Sequence, residues 1–594
     1  MKNNSTLDLA KCVAISLGLS ITAFSPLAQA ATGNWLNIGS DWNTNANWSG
    51  ASYPGTAGGE TATLPSAATA VNPNLDVSIL INTLNIDNTQ ADYDITTATS
   101  SVFTIATSIV TTGGGTTNIA PQILFGSGAR TINNGTTTLN LNGGISLIGQ
   151  GPVVTLTNST PIVVSSITTG NGPGADDVLS IQGTGSMTVT GSIAPGAGFN
   201  TISLAVPIAG YTGTLRLEGS NTFSTTTLWR GGTIEVANNG ALGGQNITVG
   251  SSAVSTQASL LTTGAFSTPA NITFSGANTS FTLGGSQTSG TSTYSGTVNL
   301  TALQAVNNGL NVTAATGGTV SFTNVISSLA NSAHFITKIG NGVVKLSGVN
   351  TYGGGTLINA GTLEANTVVG GTNSSTGTGN VTVFIGGTLG GTGQIRPGVL
   401  GVNQQFVSVS NGGHLAPGVV AGTPGAGIGT LTLDSGGSTA TNILSMASGS
   451  DFQFALGVAG TFAVDGTNDL LVISNSAASD VAFNGNAIDF LGTGAVGVYR
   501  LFDGLATSTE ASDTWAGLTL GGVSTRQITS GLTVTNLAAG LTGTLFVGDG
   551  GSFGTQAGDI YLNVVAVPEP STYAMIIGGF GILIGVQRAR RRSL

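Results

Sequence analysis

The side chains that could do chemistry in this chain are few and badly spaced for it. His334 and His414 stand 80 positions apart, and the single cysteine, Cys12, lies near the N-terminus. Zinc sites draw on clustered Cys and His, so these residues supply no plausible ligand set. The stretch "GGSFG" around Ser552 matches a nucleophile elbow, but no histidine follows it to complete the Ser, acid, His order. "GTGAVG", Gly492 to Gly497, matches a dinucleotide fingerprint, yet no helix-forming segment with an acidic residue follows, and a chain with 94 glycines produces such matches by chance. Asp176 and Asp177 in "GNGPGADDVLS" are the best carboxylate pair for general acid and base work on a glycan. Neighbours on a strand point to opposite faces, so the two would have to sit in a loop to converge. Acidic turns at Asp503 and Asp549 offer oxygen ligands for calcium without a repeated ligand pattern. The expectation is a protein without catalytic residues, metal or cofactor, and its alternative is a polysaccharide lyase or hydrolase.

The elements that would have to position such groups are unusual in composition. Charged residues make up 6% of the 594, against about a quarter in an average soluble domain. Leaving out residues 1–30 and the four terminal arginines, the body has 8 basic and 23 acidic residues. Nucleic acids and anionic membrane surfaces are bound through clustered Lys and Arg, so neither is an expected partner of the body. Basic residues gather at the two ends instead. Residues 1–30 carry Lys2 and Lys11, an apolar run from Cys12 to Phe24, Pro26 and the small-residue site Ala28, Gln29, Ala30, with Ala31 as the first residue after the cut. That order reads as a cleavable secretory signal. Its removal takes away Cys12 and leaves a body with no disulfide.

At the other end, the triplet Pro568, Glu569, Pro570 opens onto an uncharged stretch, Pro570 to Gln587, and then come Arg588, Arg590, Arg591 and Arg592. Eighteen uncharged residues make about 27 Å of helix against a hydrocarbon core of about 30 Å, so a C-terminal transmembrane-type helix is expected here, its arginines left on the cytoplasmic side.

Between the ends, short segments alternate in period two: "TLRLEG" from Thr214, "GTIEVAN" from Gly232, "VTVFIGG" from Val381, "TLTLDSG" from Thr430 and "DFQFALG" from Asp451. Each is bounded by Gly, Asn or Ser, as half-buried strands between tight turns are. The segment Leu217 to Asn238 aligns without gaps on Leu346 to Thr367, matching Gly219 with Gly348, Asn221 with Asn350, Gly232 with Gly361 and Glu235 with Glu364. A fainter Gly-x-Asn-Thr corner runs from Gly276 to Thr279. Repeated strands with glycine and asparagine corners predict an all-β fold, a right-handed parallel β-helix in which Asn and Thr at corresponding corners stack in hydrogen-bonded ladders. An antiparallel sandwich with similar turns is the alternative, because periodicity does not distinguish the two pairings. In the β-helix Leu217, Leu228, Ile234, Leu346, Leu357 and Leu363 face inward, and Trp35, Trp42 and Trp48 cover the first coil. Stacking on sugars is the other use open to those tryptophans. The expected divisions are a signal (1–30), an N-terminal β-rich region with a Trp-rich cap (31–200), the repeat solenoid (201–435), a C-terminal β-rich region (436–565) and the end segment (566–594).

The stretch "LSGVNTYGGGTLINAGTLEANT" from Leu346 resembles an autotransporter-associated β-strand repeat, and Gly386 to Leu433 is similar to the segment downstream of such repeats in large secreted passengers. That resemblance implies a surface-directed β-helix and no reaction. A self-transporting passenger would also need a C-terminal membrane barrel, where this chain has "VVAVPEPST". The order Val567-Pro568-Glu569-Pro570-Ser571-Thr572, apolar segment, basic end resembles the PEP-CTERM sorting tail, which implies an exosortase-type processing enzyme as a partner and transient anchoring at the inner membrane. A permanent membrane anchor is the alternative. Together these imply an exported structural or adhesive protein of the cell surface or extracellular matrix, with polysaccharide as a ligand.

Overall fold

The computed structural model describes residues 32–592 except 57, 99, 127, 149–152, 159, 170–176, 196–201, 206–210, 223–226, 230, 245, 251–256, 277–280, 304–308, 330–332, 397–404, 419–426, 436–441, 461–466, 475–480, 492–493, 505–514, 522–525, 552–555 and 568–569.

Strands of two to eleven residues stack in parallel, one from each successive coil. The longest stack holds eighteen strands, from Asn74–Leu75 to Trp515–Ala516. Its register places like residues above one another: Ile119, Leu141, Val164, Val189, Leu217 and Val236 pair in sequence and all have 0% exposure. A lone coil would leave this aliphatic row in water, so each coil is stable only against its neighbours. Parallel pairing excludes the antiparallel sandwich and establishes the parallel solenoid.

Other stacks form the remaining faces. The long strand Val102–Thr112 pairs through its first half with Gln122–Phe125 and through its second with Ala129–Gly135, so two stacks diverge from it. Farther along, ten strands from Ser267–Thr268 to Leu532–Thr535 build a second extended sheet. Pairing turns antiparallel at the far end, where Ile560–Ala566 runs against both Gly497–Gly504 and Leu541–Val547. That hairpin extends the sheet beyond Gly497–Gly504.

The opposite end is closed by the tryptophans. Trp35, Trp42 and Trp48 are at most 2% exposed, their rings 4.6 to 6.5 Å apart, and Trp42 meets Phe103 edge-on at 5.2 Å. Their indole N–H groups donate to the carbonyls of Val71, Pro54 and Trp42. Buried rings with satisfied donors pack within the first coils and present no face for a sugar.

The two aligned repeats share one corner. The Ile193 N–H donates to Asn221 Oδ1 at 2.7 Å while Asn221 Nδ2 donates to the Ala241 carbonyl. The Ile326 N–H donates to Asn350 Oδ1 at 2.7 Å while Asn350 Nδ2 donates to the Ser375 carbonyl. Each buried amide thus ties the coil before to the coil after. A Cβ on Gly219 would lie 2.0 Å from the Gly191 carbonyl oxygen and one on Gly348 2.2 Å from that of Asn324, so both glycines are required by close approach. The expected side-chain ladder is found elsewhere, on the outside of the long stack, where Asn140 donates to Asn118 at 2.7 Å and Asn118 to Asp94 at 2.6 Å. Of the fainter corner, Gly276 ends the strand Ile272–Gly276 and the residues through Thr279 lie outside the described residues.

Leu217, Ile234, Leu346 and Leu363 face inward with 0 to 2% exposure. The side chain of Leu228 lies outside the described residues. Leu357 does not face inward: it is half-buried on the outer side, and its neighbours Thr356 and Ile358 are the buried residues of that strand. Thr356 tolerates the interior because its Oγ1 bonds the Tyr352 hydroxyl at 2.7 Å and the Thr376 carbonyl at 3.1 Å.

The one α-helix among the described residues is Pro570–Arg592. Among those residues no helix is long and apolar enough to cross a membrane, which corrects the expectation of a transmembrane-type helix. The exposed apolar run from Met575 to Val586 contains four glycines and makes about 18 Å of helix before Gln587 and the arginines, well short of a hydrocarbon core of about 30 Å.

Candidate functional site: an ordered polar face

Because side chains alternate across a strand, the inward aliphatic rows leave outward rows at the same register. On the long stack one such row runs Thr214, Thr233, Ser259, Thr282, Asn311, Thr337, Leu357, Thr382, Ser408, Ser445. All are half-buried except Thr337, which is buried. Strands stack about 4.8 Å apart, so the row presents short hydroxyl and amide groups at regular intervals on a stiff backbone. Such groups donate and accept hydrogen bonds without charge, which suits a hydroxyl-rich ligand. The Asn-x-Thr positions Asn246 and Asn271 sit at another corner, where Asn271 Nδ2 donates to Asn246 Oδ1 at 3.0 Å.

The structure does not bring the chemically capable residues of the sequence together. His334 is buried at 3% exposure ahead of Phe335–Ile339, while His414 lies in another sheet with Nδ1 2.6 Å from Asp451 Oδ1. That carboxylate, with Asp489 nearby, raises the His414 pKa above the ordinary range. Asp177 opens the strand Asp177–Gly183, and Asp176 and Ser552 lie outside the described residues. Asp503 pairs with Arg500 at 2.9 Å, and Asp549 accepts the Gly551 N–H at 2.8 Å within its own turn. Among the described residues no three His, Cys, Asp or Glu side chains cluster as metal ligands would. Ala28, Ala30, Ala31, Pro568 and Glu569 lie outside the described residues. Pro570 begins the C-terminal helix, and Arg588, Arg590, Arg591 and Arg592 are exposed on its last turns.

Sequence reasoning missed several buried polar groups. Lys338 has no exposure, and its Nζ donates to the carbonyls of Ile339, Gly340 and Ala360 at 2.6 to 3.0 Å; burial pushes its pKa down to about 7. Asp469 accepts the Gly429 and Ala455 N–H groups at 2.9 and 2.6 Å, yet burial raises its carboxyl to about 7. Both satisfy backbone groups at coil junctions. Lys338 lies between Thr337 and Ile339 and Asp469 between Asn468 and Leu470, and a lone charged residue in such a setting gives no sequence signal of burial.

Comparison with known families matches two segments, residues 211–236 and 336–365, to the passenger-associated-transport-repeat. These are the two copies whose Gly and Asn corners coincide. A search of curated proteins returns no match. An autotransporter-passenger repeat within a parallel β-solenoid fits an exported, passenger-like protein directed to the cell surface. The match covers the repeats and does not reach the C-terminal tail.

Proposed function

We propose that this chain is a non-enzymatic structural or adhesive rod of the bacterial surface or extracellular polysaccharide matrix. The observation that carries this reading is the outward row of Thr, Ser and Asn held in register on the long stack. Each hydroxyl contributes little alone, and many spaced along a rigid face bind a long glycan by multivalency. The test is cosedimentation of the purified protein with matrix polysaccharide, scored for binding and for new reducing ends or unsaturated products. Binding without products is expected, and Thr233→Glu with Thr282→Glu should weaken it while leaving the β spectrum intact. Products that vanish when Asp176 and Asp177 are changed to Asn would replace this reading with the enzymatic one.

The tail fits a processing signal of the PEP-CTERM kind, read by an exosortase-type enzyme after residues 1–30 have directed export. Its apolar helix then engages the inner membrane from one side while the four arginines stay near anionic headgroups. Changing Pro568, Glu569 and Pro570 to Ala leaves the helix and its charges in place. Terminal mass should show a wild-type chain ending near the triplet and a full-length variant. A wild-type chain ending at Leu594 would refute processing.

A further inference from the structure

Lys345, Glu364 and Asn366 form a cluster that the proposed function does not use. Lys345 lies on Val343–Leu346, Glu364 is its register partner on the next coil, Gly361–Ala365, and Asn366 follows that strand directly. The Glu364 side chain has 0% exposure and that of Lys345 24%. Lys345 Nζ stands 3.0 Å from Glu364 Oε2, and Asn366 Nδ2 donates to the same oxygen at 3.0 Å. The amine and the carboxamide nitrogen therefore lie within about 6 Å of each other on one shared acceptor. Asn366 Oδ1 accepts the Thr392 N–H at 3.0 Å and faces Thr392 Oγ1 at 3.4 Å. The second oxygen of the carboxylate, Glu364 Oε1, is buried and has no hydrogen-bond partner. A buried carboxylate with a vacant oxygen, a lysine and an asparagine on its other oxygen, and a donor pair on the asparagine carbonyl make an arrangement for acyl transfer between two side chains.

The other repeat serves as an internal comparison. Arg216 holds the place of Lys345 and Glu235 that of Glu364, at 3.1 Å, but Glu235 is 28% exposed and Ala237 stands in the place of Asn366. There Arg216 also bonds Glu218 at 2.8 Å, so that site holds half-buried ion pairs and no carboxamide.

We propose that Lys345 and Asn366 are joined by an intramolecular isopeptide bond whose formation Glu364 assists. Glu364 takes a proton from the Lys345 ammonium, and the freed lone pair attacks Asn366 Cγ. A C–N bond forms, and negative charge develops on Oδ1 against the Thr392 donors. Glu364 returns the proton to Nδ2, the Cγ–Nδ2 bond breaks, and the linking nitrogen gives up its second proton as ammonia leaves. An ammonium and a carboxamide become a secondary amide and one ammonium ion, with no oxidant or co-reactant. The bond would tie two consecutive coils in a body that has no cysteine for a disulfide.

The chain has four lysines, Lys2, Lys11, Lys338 and Lys345. Digestion of the denatured full-length protein with a lysine-specific protease therefore separates the two outcomes. The linked chain should withhold the peptide Ile339 to Lys345, and the fragment beginning at Ile339 should be lighter than its sequence mass by one ammonia, about 17 Da. Asn366→Ala and Lys345→Arg should restore the full mass, and Asn366→Ala should also release the peptide. Glu364→Gln should do as Asn366→Ala does. Stoichiometric release of Ile339 to Lys345 from the wild type would overturn the proposal, and this wild-type digest decides even where a variant fails to fold. A cyclised Asn366 would lose the same mass but leave Lys345 cleavable, and that result also overturns it.

Discussion

Truncating Asn350 to Ala removes one side chain that serves two neighbouring coils. At 2% exposure, its loss strands the Ile326 N–H, now 2.7 Å from its acceptor, and the Ser375 carbonyl. Each unpaired buried group costs about 1 to 3 kcal/mol. The sum is about 2 to 6 kcal/mol, placed at one junction because a solenoid's stability is largely a sum of nearest-neighbour terms. Global unfolding blurs such a local loss, so amide hydrogen exchange at Ile326 is the better assay. Even the lower figure lowers the local opening free energy by about 2 kcal/mol, which raises exchange about 30-fold. Asn221→Ala should do the same at Ile193, where the geometry is the same. Exchange changed by less than about 3-fold at both amides would refute the claim that these asparagines hold the coils together.

Other expectations come from single environments. Leu363→Asp places an unpaired carboxylate at a position with no exposure, and should cost several kcal/mol in denaturant unfolding. Trp42→Ala should cost about 3 to 5 kcal/mol and make the first coils the earliest site of proteolysis; unchanged cleavage would mean the cap is dispensable. His414 gains a partner on folding and its pKa is raised, so its stabilising contribution is full in acid and fades as pH rises through the folded value above about 6.5. His414→Gln should flatten the unfolding midpoint across that window, and an unchanged slope would assign it to other groups.

Alternation makes much of the fold legible. Leu217 and Leu346 close strands of four residues in which every second position is apolar, and both are inside. Leu357 is misleading because Thr356–Ile358 is three residues long and hydropathy favours the leucine. The decisive partner, Tyr352, lies outside that strand, and its hydroxyl is what admits Thr356. The burial of the tryptophans is legible because large aromatics near a solenoid end have apolar surface to cover. The tail's helix is legible and its inability to span is not, since a count of charge-free length gives a span where continuous apolar length decides. Lys338 is hidden altogether: three carbonyls gathered from two coils create its site, and only the fold assembles them.

The two repeats also explain why a strong fold signature says little about function. Leu217 pairs within the long stack and Leu346 within the ten-strand sheet, so the copies occupy different faces. What they share is a junction: a glycine where another coil's carbonyl approaches, an asparagine bonded to both neighbours, and a second glycine, Gly232 or Gly361, at φ of +70° or +61°. Those demands come from backbone geometry and hold on any face. The outward residues answer to no such demand, and there the copies part: Arg216 and Ala237 in one, Lys345 and Asn366 in the other. Both junctions fall within the segments matched by the family, 211–236 and 336–365, and the chemistry that separates the coils must be read from the side chains in which they differ.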